Sequence, residues 1–276
     1  MTEAGQDGPL DGFPTHAQRF GLAGRIAFVS GAAGHLGRAM ALALAQAGAH
    51  VILNGRTQAN LDALAGEMAA AGLSASSAAF DVSDLDAAAA FFAGLERVDI
   101  LVNNAITGLP GKGAAPGVDS FRKTMESGLL ACNQNIEAAL PALDAAVAAT
   151  GGASVINIAS QFAHVSPTFE AYEGTPLMTP PQYGATKAGL IQLTRYLAVF
   201  HARRRIRFNS VSPGIFPWPG TADIHPSFIE RATALSPMRR LGDAHEIAGA
   251  VVFLASDAAS YVTGADIRVD GGWTAK

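Results

Sequence analysis

Ile26-Ala27-Phe28-Val29-Ser30-Gly31-Ala32-Ala33-Gly34-His35-Leu36-Gly37 is the stretch that decides the fold. Four apolar residues end in Ser-Gly, as a short strand buried on both faces would. Gly31, Gly34 and Gly37 follow, and residues 35–47 then run rich in Ala and Leu to Gly48. That run predicts a helix with Gly48 at its C-terminal cap. Strand, glycine turn and helix in this order suit a phosphate-binding corner. Glycines let the backbone turn tightly and approach a pyrophosphate, and the helix N-terminus stabilises its charge. A plain glycine-rich turn has the same spacing, so the reading depends on what surrounds it.

Working outward, the unit recurs. Strands are predicted at 51–53, 74–80, 98–102, 153–158, 206–211 and 266–269. Helices are predicted at 58–71, 84–94, 120–149, 182–201 and 244–254, with Asp84 as an N-cap. Strands that are apolar throughout are buried on both faces, as in a parallel sheet covered by helices. The expectation is one Rossmann-type, doubly wound α/β domain over residues 23–276, with a seven-stranded, mostly parallel sheet and helices on both faces. Residues 1–22 carry Gly, Pro, Asp and Thr without periodicity and are expected to form a flexible arm, with Phe13 and Phe20 as docking points. Two irregular segments are expected, 161–181 and 213–237. Both follow strands, on the side of an open sheet where ligands bind.

Composition agrees with a large globular domain. The chain has 276 residues, 49% of them hydrophobic and 15% charged, which excludes intrinsic disorder. A net charge of −4 argues against a nucleic-acid surface. A single cysteine, Cys132, excludes an intrachain disulfide and fits a reducing compartment. No apolar run reaches membrane-spanning length, and the first twenty residues hold no stretch of signal-peptide length. A soluble cytoplasmic protein is expected. Seven histidines and the cysteine are scattered without metal-ligand spacing, so no metal site is expected.

Two further clusters carry chemistry. Asn54-Gly55-Arg56 closes the second strand, where a carboxylate would favour NAD by binding the adenosine ribose. Gly55 stands there instead, and the Arg56 guanidinium can pair with a 2′-phosphate. An exposed arginine at a strand end is the bland alternative. The second cluster is Ser160, Tyr183 and Lys187. Tyr183-Gly184-Ala185-Thr186-Lys187 sets a phenol and an ammonium on one helix face. A nearby cation stabilises phenolate, and Ser160 could hydrogen-bond a substrate oxygen as charge develops. Alone, the Tyr-Lys pair reads as a surface helical pair; its place after an irregular loop at the sheet edge favours catalysis. Tyr172 has Pro176 rather than Lys four residues on, which makes it a poor rival.

With these residues in order, residues 22–275 resemble the short-chain dehydrogenase/reductase family. The resemblance rests on the run from Ser30 to Gly37, Asp81-Val82, Asn103-Asn104-Ala105, Ser160, Tyr183 to Lys187, Asn209 to Gly214, and Val269-Asp270-Gly271-Gly272. It implies hydride transfer between a nicotinamide and a carbonyl or secondary alcohol of a small molecule. Tyr183 is then the general acid/base, Lys187 lowers its pKa and holds the nicotinamide ribose, and Ser160 orients the carbonyl. Gly31, Gly34, His35, Leu36 and Gly37 would hold the pyrophosphate, and Asp81 and Val82 would meet the adenine. Asn103 and Ala105 would line the cleft, and Pro213, Gly214 and Phe216 would lie by the nicotinamide. NADP(H) is expected over NAD(H), with use of both open. A homo-oligomer, tetramer or dimer, is expected through the helical stretches from 120 and 182.

The chain departs from the family pattern in five places, one of them Ile106, which follows Asn103-Asn104-Ala105 where a glycine is usual. His35 stands where a glycine is usual. The relay asparagine expected near Ser127 or Gly128 is not there, and neither Asn133 nor Asn135 is an obvious substitute. Ile215-Phe216-Pro217-Trp218-Pro219 displaces the usual threonine after Pro213-Gly214. The segment 167–181 lengthens the interval between Ser160 and Tyr183 and is expected to lie over the substrate cleft. Two alternatives stay open: an epimerase or dehydratase that uses its cofactor transiently, and a non-catalytic nucleotide-sensing protein on the same fold.

Overall fold

The short apolar runs become the strands β1 (Ile26–Val29), β2 (His50–Gly55), β3 (Ala75–Ala79), β4 (Ile100–Asn103), β5 (Ala153–Ile158), β6 (Ile206–Pro213) and β7 (Asp266–Val269). In this computed structural model, which describes residues 12–106 and 117–276, they form one sheet of order β3-β2-β1-β4-β5-β6-β7. Every neighbouring pair is parallel. Helices α1 (His16–Phe20), α2 (His35–Gln46), α3 (Gln58–Ala70), α4 (Leu85–Ala93), α5 (Val118–Met125), α6 (Ala131–Thr150), α7 (Pro181–Phe200), α8 (Thr221–Ile224), α9 (Pro226–Leu235) and α10 (Ala248–Ala255) complete the described chain.

Strand side chains alternate between faces, so each central strand feeds two cores. Val29, Val51, Leu53 and Val102 pack with Met40, Leu44, Leu64 and Leu254 on one side. Phe28, Leu101, Val155 and Phe208 pack with Phe92, Ile136, Leu143 and Leu197 on the other. Each such side chain stabilises the fold by about 1.5–3 kcal/mol on burial. Strand order reverses between β1 and β4, and a crevice opens beyond their C-terminal ends, where ligands of such sheets bind.

The described part of the expected arm is partly built into the domain. Thr15 caps α1 in a reciprocal capping box with Gln18, Phe20 packs on Phe253 of α10, and Leu22 is fully buried. Two anchoring apolar residues and a local cap order this segment without any long-range periodicity. Phe13 stays exposed, and residues 1–11 lie outside the described residues.

The stretch expected to be irregular from 213 contains α9. Its start is set by Pro226 at the first helical position, and its Phe228 and Ala232 bury against Ala171. That small cluster joins the two long insertions to each other, away from the main cores. The long helical stretch expected at 120–149 is α5 and α6 joined through a π-turn at Glu126–Leu130.

Candidate active site

Glycine geometry shapes the dinucleotide end. A Cβ on Gly37 would lie 2.0 Å from the Gly31 carbonyl oxygen, so only glycine lets α2 begin this close to the β1 turn. The turn is braced by Asn104, whose Nδ2 donates to the Ser30 carbonyl at 2.9 Å, while the Asn104 and Ala105 N–H groups donate to Ser30 Oγ. A cleft of about 420 Å³ opens in front of it. Gly31, Gly34, His35, Leu36 and Gly37 line one wall, Arg56 stands at the end of β2, and Asp81 and Val82 follow β3. Ala105 and Phe216 close the rest. An elongated cleft with a helix N-terminus in its wall, an arginine at one end and an acidic residue beside it fits a dinucleotide.

Some expected residues lie elsewhere. Asn103 does not line the cleft. Its side chain is buried on the opposite face of β4 from Asn104, donating to Asn157 Oδ1 at 2.9 Å, and Asn157 in turn donates to Thr194 of α7. Strand alternation sends neighbouring side chains to opposite faces, so of the two asparagines Asn104 reaches the cleft. Pro213, Gly214, Tyr183 and Lys187 are also absent from its lining. Gly214 abuts Asp270 and borders a separate cavity of about 350 Å³, while the chain turns back to deliver Phe216. Sequence reasoning passed over Asn104, although it sits inside the quoted motif, and gave no role to Trp218, which also lines the cleft.

The catalytic trio comes together. Ser160 lies two residues past β5 and caps the following turn, its Oγ accepting from Phe162 N–H at 3.2 Å. Tyr183, in the first turn of α7, hydrogen-bonds Ser160. Lys187 stacks one turn on, its Nζ 6.0 Å from the centroid of the Tyr183 ring, and donates to the Ile158 carbonyl at 2.5 Å. The expected depression of the phenol pKa is not what the structure contains. Burial pushes Tyr183 above its ordinary value, and the Ser160 hydrogen bond opposes that shift only in part. Lys187 is itself buried and is drawn down to about 8, which leaves it mostly ammonium at neutral pH. The charge of Lys187 in turn acts on Cys132, a buried thiol pushed up to about 11 by burial.

No asparagine takes the relay position. A Cβ at Gly128, within the π-turn, would come 2.6 Å from the Thr186 methyl and 2.8 Å from Ile106 Cδ1, so those side chains fill the space. Asn133 donates to Glu137 on the surface. Asn135 is buried one turn further along, where its Nδ2 donates to the Val82 carbonyl at 3.3 Å. It braces the cleft wall at Val82 rather than Lys187. Among the described residues no group of three or more His, Cys, Asp or Glu side chains could hold a metal ion. Among the same residues no helix is long and apolar enough to cross a membrane.

A family profile described as enoyl-(acyl carrier protein) reductase matches residues 31–274. The chain is 32% identical over 260 residues to the 2,5-dichloro-2,5-cyclohexadiene-1,4-diol dehydrogenase LinX of Sphingobium indicum, covering 92% of this chain and 97% of that one. It is 34% identical over 270 residues to the gluconate 5-dehydrogenase of Gluconobacter oxydans, covering 94% and 98%. A solved gluconate 5-dehydrogenase from Burkholderia cenocepacia, in complex with NADP and tartrate, superposes with a TM-score of 0.82 at 29% identity, covering 95% and 100%. The chain belongs to the short-chain dehydrogenase/reductase family. It is an NAD(P)-dependent oxidoreductase of that family.

Proposed function

We propose that this enzyme interconverts a secondary alcohol and a ketone on a small hydroxylated molecule, with Tyr183 as the general acid/base and NADP(H) as the preferred cofactor. The observation that carries the reading is Ser160, Tyr183 and the buried Lys187 gathered at the start of α7, where Thr186 meets the cleft-lining Ile106 around Gly128. The glycine turn from Gly31 to Gly37 would hold the pyrophosphate, Arg56 the 2′-phosphate, and Asp81 and Val82 the adenine. The nicotinamide, when bound, supplies or accepts the hydride.

The chain's own groups handle the proton. In reduction the buried Tyr183 phenol is protonated at neutral pH and can donate from its hydroxyl to the carbonyl oxygen. Ser160 Oγ, already within reach of that hydroxyl, orients the same oxygen and shares the charge that develops there. The Lys187 ammonium, held by the Ile158 carbonyl, stabilises the phenolate left behind. In oxidation the same groups run in reverse.

The NADP preference draws support from Gly55, which puts no carboxylate at the end of β2, and from the NADP carried by the Burkholderia cenocepacia relative. The substrate class draws support from the secondary alcohols named for both curated relatives. Exposed Val118 and Phe121 on α5, and Tyr196, Val199 and Phe200 on α7, support a homo-oligomer, which light scattering would detect.

The test is a panel of polyhydroxy acids, cyclic diols and their ketones, assayed by nicotinamide absorbance with each cofactor. Stoichiometric cofactor turnover with NADP(H) favoured is expected. Isomerised product without net cofactor change would mean an epimerase, and tight cofactor binding with no turnover across the panel would mean a nucleotide sensor.

A further inference from the structure

Two of the chain's departures from the family pattern meet in space. His35 is the first residue of α2, at the tip of the glycine turn. Trp218 sits in the loop after β6, between Pro217 and Pro219. Their ring centroids are 5.3 Å apart at 31°. A Cβ built on Gly34 would touch the Trp218 ring at 3.9 Å, so the indole lies against the glycine turn itself. Both residues line the dinucleotide cleft.

The loop is fixed at its base. Phe216 is wedged against Gly242, where a Cβ would come within 2.5 Å of its ring, and the Gly242 N–H donates to the Ile215 carbonyl at 3.0 Å. Trp218 keeps 54% of its surface exposed, and His35 Nε2 is buried with no hydrogen-bond partner. A contact with one wet partner and one unsatisfied nitrogen can separate at low cost, while the anchored base keeps the loop in reach.

We infer that His35 and Trp218 form a clasp across the mouth of the cleft, closing over the pyrophosphate and opening to admit or release the cofactor. The inference rests on the cofactor reading above and adds a gate to it. Neither side chain is a catalytic residue; both position and retain. The bulky His35, which looks misplaced beside a phosphate-binding turn, supplies the ring on which the loop docks. Flanking prolines restrict the loop's backbone, so ring-on-ring contact costs little further entropy.

The experiment is NADPH release from the full-length protein, followed by stopped-flow fluorescence after an excess of NADP⁺ is added. Trp218→Ala and His35→Gly should each speed release roughly 3- to 10-fold, the range expected for loss of one aromatic pair. The double variant should release no faster than the quicker single variant, because both remove the same contact. Trp218→Phe should stay near wild type. In the cofactor-free protein, His35→Gly should make Trp218 more accessible to acrylamide quenching. Release unchanged in both single variants, or effects that multiply in the double variant, would overturn the clasp. Unchanged quenching in His35→Gly would overturn the docked geometry. A wild type that binds no nicotinamide cofactor would overturn the functional reading and the clasp together, whereas tight binding with unaltered release overturns the clasp alone.

Discussion

On the β1–β2 side of the cleft the backbone makes the shape. Gly37 abuts Gly31, Asn104 ties the turn to β4, and the residues that face the cofactor come from consecutive strand ends. On the β5–β6 side the shape comes from side chains of two long insertions. Tyr172 hydrogen-bonds Thr179 and packs on Phe228 from α9, and Ala171 and Ala232 are buried between them. The first side is held by strand pairing and two large cores, the second by one small satellite cluster. The comparison teaches that the glycine turn and the Tyr172–Phe228 cluster are held by different packing and meet through the 215–218 stretch, whose Phe216 and Trp218 line the cleft. Changes confined to the satellite cluster should leave the glycine turn nearly untouched.

The largest expected effect is at the seam between the two. Tyr183→Phe should lower turnover by roughly 10²- to 10⁴-fold, as loss of a positioned acid/base does. NADPH affinity, measured by calorimetry, should stay within about twofold. Turnover within a factor of a few of wild type would remove Tyr183 from the chemistry.

Phe228→Ala attacks the substrate side. Truncating a buried phenylalanine costs about 3 kcal/mol, and here the loss should fall on the satellite cluster. Substrate KM should rise, urea should expose the 161–181 segment earlier by hydrogen exchange, and NADPH Kd should hold. A parallel loss of NADPH affinity would break the proposed separation.

Arg56→Ala attacks the cofactor side. It should weaken NADPH by about tenfold and NADH by no more than about twofold, the signature of one lost charged contact. Substrate KM should not move. Equal losses for both cofactors would show that Arg56 does not read the phosphate.

The smallest effect is a pH dependence of stability at Lys187. Its pKa falls from 10.5 to about 8 on folding, so between those values the unfolded chain binds more protons than the native one. Stability then rises with pH in that window. Relative to Lys187→Met, the wild type should gain about 1 kcal/mol of unfolding free energy between roughly pH 8 and 9, by proton linkage. A flat difference in urea midpoints would mean that Lys187 is not desolvated in solution.

Much was legible from the chain alone, and the reason differs by region. Apolar tetrapeptides such as Ile26–Val29 carry their own burial, and glycines at a strand end carry their own turn, so the parallel sheet and the cofactor corner follow from local pattern. The Tyr183–Lys187 spacing survives because one helical turn brings residues four apart together. Asn103 is expected at the cleft, and its side chain instead donates to Asn157, because local sequence does not say which of two adjacent asparagines turns toward the crevice. Helix α9 falls in a stretch that reads as irregular, in part because its buried Phe228 and Ala232 pack on a segment more than fifty residues earlier.

By itself, then, the sequence determined what depends on neighbours along the chain: the strand–turn–helix units, the parallel doubly wound class, and the identity of Ser160, Tyr183 and Lys187 as a candidate trio. Tertiary structure decided what depends on approach between distant segments. It put Asn104 rather than Asn103 at the cleft, packed Thr186 and Ile106 where a relay asparagine would stand, and set His35 against Trp218. It also set the environment of Tyr183: desolvation inside the fold pushes the phenol upward, opposed by hydrogen bonding to Ser160. Burial is a property of the whole packed molecule, and no local spacing encodes it.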